Sequence, residues 1–118
     1  MKNLINKKNI LLAWTFFVFL LIAWPMPEGV ETNSGNFDKA IHFALFGVFA
    51  YLIAINIKDK FGAGKTVLLA FLVSCTYAYL AEIIQLFVPG RDYSLLDLTA
   101  GAAGSGISLI FFYVKNRK

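Results

Sequence analysis

The chain is short of charge, cysteine, proline and histidine, and each shortage removes a class of protein. Only 15% of its 118 residues are charged, against about 25% in a soluble domain. One cysteine, Cys75, permits no internal disulfide and excludes a disulfide scaffold. It reads as a small buried side chain. Three prolines and nine glycines do not make a collagen-like chain. A single histidine, His42, and no HExxH pattern argue against a zinc protease. What remains is 58% apolar, with twelve phenylalanines, and so is not disordered. A small soluble globule must cover a large surface with polar groups, and this composition has few to offer. Lipid is the solvent that suits it.

The uncharged runs give the architecture. Residues 9–27 and 98–114 carry no charge, nor do residues 40–57 with His42 neutral. Residues 66–90 carry one, Glu82. A helix needs about 20 apolar residues, with a range of about 17–25, to cross the hydrocarbon core. The sequence therefore predicts an all-α polytopic membrane protein in one domain over residues 1–118. Its four transmembrane helices span about 9–24, 38–57, 66–88 and 95–114. Short connections predict an antiparallel up-down bundle. The first run has a basic start but no small-x-small cleavage site, ending in Trp24-Pro25-Met26-Pro27. It reads as an uncleaved helix. Residues 28–37 form an outer loop, 58–65 a glycine-bearing inner turn, and Pro89-Gly90 closes the third helix.

Orientation comes from the basic residues. Nine of eleven lie in the N-terminus, the 58–65 turn and the C-terminus, leaving only Lys39 and Arg91 opposite. The positive-inside rule puts both termini in the cytoplasm of a multi-pass protein of the cell membrane. The net charge of +4 is this cytoplasmic excess and implies no nucleic acid. Gly64-Lys65-Thr66 looks like the end of a P-loop, but position 59 is Asp where the motif needs Gly, and no strand precedes it.

The acidic residues gather at the opposite side: six of seven stand near outer helix ends. Asp38 opens the second helix with His42 four residues on, and Glu82 and Gln85 share a face of the third. Arg91 lies in the outer turn, and Ser94 and Asp97 flank the start of the fourth helix. All seven belong to one depth zone under the outer face. A charge at a helix centre costs about 2.5–3.5 kcal/mol on insertion scales, so Glu82 must face the interior or a wet cleft. Each residue has a structural alternative, such as helix capping by Asp38 and Ser94. Together they read as a polar pocket open to the outside. His42 with a carboxylate suits acid–base catalysis, and Arg91 suits a phosphate or carboxylate. Asp38, His42, Glu82 and Asp97 could ligate a divalent metal. The sequence itself names no cofactor, fixes no reaction and sets no oligomeric state. Ala100 to Ser108 of the fourth helix is rich in small residues. It reads as a packing seam, or else as room for a lipid chain or head group.

Two blocks carry a family resemblance. The first is Asp38-Lys39-Ala40-Ile41-His42-Phe43 followed by Phe46; the second is AEIIQLFVPGRDYSLLD, with Glu82, Gln85, Phe87, Gly90, Arg91, Ser94 and Asp97. With Gly104 they make the chain resemble the VanZ-like family of small bacterial membrane proteins over its second to fourth helices. The family pattern has Asn where this chain has Gly101, and Gly where it has Ser108. The resemblance implies an envelope protein, the founding member being associated with resistance to teicoplanin, a lipoglycopeptide. It implies one family site made of Asp38, His42, Glu82, Gln85, Arg91, Ser94 and Asp97. Within it, His42, Glu82 and Asp97 are the candidate catalytic groups, and Asp38, Gln85, Arg91 and Ser94 the candidate ligand-binding groups. The leading expectation is a protein that binds or modifies an amphipathic lipid or envelope precursor and so affects lipoglycopeptide susceptibility. An intramembrane hydrolase or transferase of lipids and a purely structural bundle in an envelope complex are the alternatives. The cytoplasmic half offers an ion carrier no polar path beyond Asn56.

Overall fold

The computed structural model describes residues 6–23, 35–88 and 95–116. They form three helices, α1 (Lys7–Ala23), α2 (Gly35–Gln85) and α3 (Leu95–Asn116). The all-helical expectation holds. Two of the three, α2 and α3, are long and apolar enough to cross a membrane.

The expected boundaries shift for local reasons. α1 starts at Lys7 rather than residue 9 because Asn6 caps it: the Asn9 amide donates to Asn6 Oδ1 at 2.9 Å. The second and third expected helices are one assigned element, α2, of 51 residues. The expected eight-residue turn between them shrinks to one residue, Gly62, with φ 79° and ψ 165°. That conformation suits glycine and strains any side chain. Gly64-Lys65-Thr66 is helical, as far from a phosphate loop as the missing glycine implied. α2 ends at Gln85 rather than 88. Leu86, Phe87 and Val88 then follow in a tightened turn whose amides each donate to the carbonyl three residues back, at 3.0–3.2 Å. α2 also begins earlier than expected, at Gly35. Trp24-Pro25-Met26-Pro27, residues 28–34 and Pro89-Gly90 lie outside the described residues.

The break at Gly62 folds α2 into two antiparallel arms, residues 35–61 and 63–85. An unbroken helix of this length would reach about 75 Å, whereas the longest dimension is 50 Å. Phe46 of the first arm meets Tyr77 of the second edge-on. α3 runs parallel to the first arm: Gly104 lies against Phe43, Phe112 against Tyr51, and Lys58 Nζ donates to Asn116 Oδ1 at 3.1 Å. α1 runs antiparallel to that arm, with Trp14 Nε1 donating to the Leu45 carbonyl and Asn56 Nδ2 to that of Lys7.

The four helical segments thus alternate in direction, but they do not close into a ring. α1 and α3 each pack on α2 and not on each other among the described residues. The two arms form the middle, and α1 and α3 flank them.

The core is apolar, built around Val18, Phe46, Phe49, Leu109 and Phe112, but it also encloses polar groups. His42, Thr66, Ser74, Glu82, Gln85 and Ser105 are buried, while Leu12, Phe16, Leu68, Leu95, Ile110 and many other large apolar side chains face outward. Ser74 Oγ and Ser105 Oγ lie 2.6 Å apart. Both also approach the Phe46 carbonyl, at 3.4 and 3.2 Å, joining both arms to α3.

The small residues of α3 are a packing seam. A Cβ on Gly104 would collide with the backbone carbonyl of Phe43, and one on Gly47 would stand 3.1 Å from the Gly104 carbonyl oxygen. Ser108 Oγ donates to the Gly47 carbonyl at 2.8 Å in the same contact. Backbone fills the space that a lipid chain would have needed.

Two glycine pairs test this account by thermal unfolding in detergent. Gly62→Ala should cost about 1–3 kcal/mol through backbone conformation alone, since nothing lies within 4 Å of its Cβ position. Gly64→Ala, in helix and equally open, should gain up to about 1 kcal/mol. In the seam, Gly104→Ala should cost at least about 1–3 kcal/mol by overpacking. Gly106→Ala, whose Cβ would meet Phe71 at an ordinary 3.7 Å, should stay within about 0.5 kcal/mol.

Candidate functional site

His42 and Glu82 stand at equal distances along the chain from Gly62. In an antiparallel hairpin such residues meet, about 30 Å from the bend at 1.5 Å per residue. Each sits on a row of buried residues spaced by four. The first arm shows His42, Phe46, Ala50 and Ala54; the second shows Thr66, Ala70, Ser74, Ala78 and Glu82; on α3, Gly101, Ser105 and Leu109 follow Asp97. The arms run antiparallel, and α3 parallels the first. The polar first residues of two rows and the polar last residue of the third therefore come to one end.

There the geometry is close. His42 Nε2 lies 3.3 Å from Glu82 Oε2. One ligating atom from each of His42, Glu82 and Asp97 lies within 4.8 Å of the others. Glu82 is fully buried, His42 is buried, and Asp97 is half-buried in the first turn of α3. A carboxylate there gains from the helix dipole. The Phe46 ring lies beside the imidazole, with centroids 6.0 Å apart and planes 27° apart.

Gln85 is buried one turn beyond Glu82, but its Nε2 donates to the Ile22 carbonyl of α1 at 3.3 Å. Its visible role is to tie α1 to the second arm. Of the seven candidates, the structure brings His42, Glu82 and Asp97 together and places Gln85 beside them. Arg91, Ser94 and the side chain of Asp38 lie outside the described residues.

The departure at Gly101 has a steric meaning. A Cβ there would stand 3.0 Å from the Phe46 ring. Any larger side chain at this position would press on the ring beside His42. Ser108, the other departure, bonds the Gly47 carbonyl and serves the seam. Sequence reading passed over Ser74 and the neighbouring ring of Phe46. The signal was present in the run of small residues at every fourth position of the second arm, ending at Glu82. Asn56 is accounted for structurally, since its Nδ2 also donates to the Leu52 carbonyl at 2.8 Å.

Chemically, the cluster pairs an imidazole with a carboxylate at near hydrogen-bond distance and adds a second carboxylate from a third segment. It can hold a proton, a cation or a polar head group. Leaving a buried polar group without its partner costs about 1–3 kcal/mol. Glu82→Ala should therefore destabilise the protein by about 1–3 kcal/mol, and His42→Ala in the same chain should recover part of that loss. A double-mutant cycle on detergent unfolding should give a coupling between about 0.5 and 3 kcal/mol.

Neither the curated proteins nor the solved structures contain a match to this chain. The family comparison does, and it covers α1 as well as the motif-bearing helices. The model of the VanZ/LLP1 family matches residues 2–116, and the chain belongs to that family.

Proposed function

We propose that this VanZ-like envelope protein crosses the membrane four times, with α1, the two arms of α2 and α3 as the crossing segments and both termini in the cytoplasm. The outward-facing apolar side chains and the buried polar ones support this reading, because in lipid every polar group must find its partner inside. The two ends also differ. Near the Gly62 end Asn56 Nδ2 donates to the Lys7 carbonyl and Lys58 Nζ to Asn116 Oδ1, and Lys8, Lys60, Lys65 and Lys115 also cluster there by sequence. His42, Glu82 and Asp97 occupy the other. A span of about 30 Å between them matches the hydrocarbon thickness.

The end bearing His42, Glu82 and Asp97 is the outer one, and it binds the head group of an amphipathic envelope molecule. The single observation that carries this is the convergence of those three side chains from three segments of an otherwise apolar-surfaced fold. Asp38, Gln85, Arg91 and Ser94 complete the site, with Arg91 as the contact for a phosphate or carboxylate. The molecule's chain lies on the apolar exterior. A groove of about 370 Å³ between α1 and the arms, lined by Thr15, Phe49, Leu72, Thr76, Tyr77 and Leu80 among others, is available there. One outcome of such binding is reduced susceptibility to a lipoglycopeptide.

A second reading, an intramembrane hydrolase or transferase of lipids, is favoured by the 3.3 Å approach of His42 Nε2 to Glu82. A general base beside its orienting carboxylate has that spacing. Lipid turnover by purified protein, lost in His42→Ala, separates catalysis from binding.

The test is teicoplanin susceptibility of a sensitive Gram-positive host. Wild-type chain should raise the inhibitory concentration, and Glu82→Gln at matched membrane abundance should return it to the empty-vector value. Equal protection by the two chains would remove the polar cluster from the function.

A further inference from the structure

We propose that His42, Glu82 and Asp97 bind one divalent transition-metal ion of the Zn²⁺ or Mn²⁺ type. The inference rests on the reading of this cluster as a binding site and names what the cluster holds. Three features carry it: the donor set, the spacing and the setting.

The donors are one imidazole nitrogen and two carboxylates, contributed by the first arm, the second arm and α3. Magnesium and calcium favour all-oxygen sites, whereas an imidazole with carboxylates suits zinc and its first-row neighbours. The spacing fits as well. Bonds of about 2.0–2.2 Å from a tetrahedral ion put two ligating atoms about 3.4 Å apart. His42 Nε2 and Glu82 Oε2 are already 3.3 Å apart. The third donor lies within 4.8 Å. Asp97 is half-buried at the start of α3, and a shift of about 1 Å brings its oxygen to the ligand spacing of a tetrahedral ion.

The setting favours a dication. Two carboxylates close together in apolar surroundings repel each other and lose their hydration. A divalent ion offsets both charges at once. Phe46 beside the imidazole keeps that side of the site apolar. Three protein donors leave a fourth position open. An oxygen of a phosphate or carboxylate head group arriving from the outer side can take it.

The experiment uses the full chain purified in detergent, stripped with a chelator and then dialysed against Zn²⁺, Mn²⁺ or Co²⁺. Metal content by mass spectrometry should reach one ion per chain, Co²⁺ should develop visible ligand-field bands, and the unfolding temperature should rise on reloading. Affinity should fall by at least about tenfold in Asp97→Asn and in Glu82→Gln, and His42→Ala should alter the Co²⁺ spectrum. The stripped and reloaded wild type is compared with itself, so the result does not depend on a variant folding. Absence of a retained ion, of Co²⁺ bands and of a thermal shift in the wild type overturns the proposal. So does equal metal content in the wild type and the Glu82→Gln/Asp97→Asn double variant. Susceptibility is scored in parallel. Protection by a chain that binds no ion defeats the metal and leaves the envelope reading standing. An ion without protection does the reverse.

Discussion

The contact between α3 and the first arm of α2 sets the geometry of everything around it. Gly104 lies so close to the Phe43 backbone that no side chain fits between them. In lipid, two helices gain nothing from hiding apolar surface from water. They associate through close packing and interhelical hydrogen bonds. The glycine contact supplies the first, and the Ser108 bond to Gly47 and the paired hydroxyls of Ser74 and Ser105 supply the second. With α3 held at that height, the side chain of Asp97 brings a carboxylate oxygen to His42 and Glu82. The depth of the polar cluster is thus fixed by a contact two turns away from it.

Gly62 sets the other coordinate. A single residue in a conformation open to glycine reverses a long helix, and the reversal pairs residues by their distance from the bend. His42 and Glu82 are such a pair. Neither arm could shift by a turn without separating them and without breaking the hydroxyl contact at Phe46. The bend, the serine pair and the contact of His42 with Glu82 are three readings of one register.

Much of this was legible in the sequence. The uncharged runs gave helices in nearly the right places, and the His42, Glu82 and Asp97 spacings gave the cluster. The seam on α3 was legible as a run of small residues. Other features were hidden for physical reasons. A helix in apolar solvent is apolar on every side, so hydrophobic periodicity does not mark its inner face. That is why the sequence suggested an up-down bundle but could not tell which helices pack together, or that α1 and α3 stand apart. The eight-residue turn was overdrawn because charged residues and glycines are weak helix signals, although Lys58, Lys60 and Gly64 all lie in helix. The serine pair was hidden because its shared acceptor is a backbone carbonyl, which no side-chain pattern reveals.

The same fact has a consequence for α1. It is joined to α2 by bonds in which a side chain donates to a main-chain carbonyl: Trp14 to Leu45, Asn56 to Lys7, Tyr77 to Thr15 and Gln85 to Ile22. Every residue owns a carbonyl, so these bonds ask for a particular side chain at the donor and for none at the receiver. Divergence in such a protein is therefore lopsided. Four polar side chains tie down a whole helix, and an exposed receiver such as Lys7 can drift where Leu45 and Ile22, packed in the core, cannot.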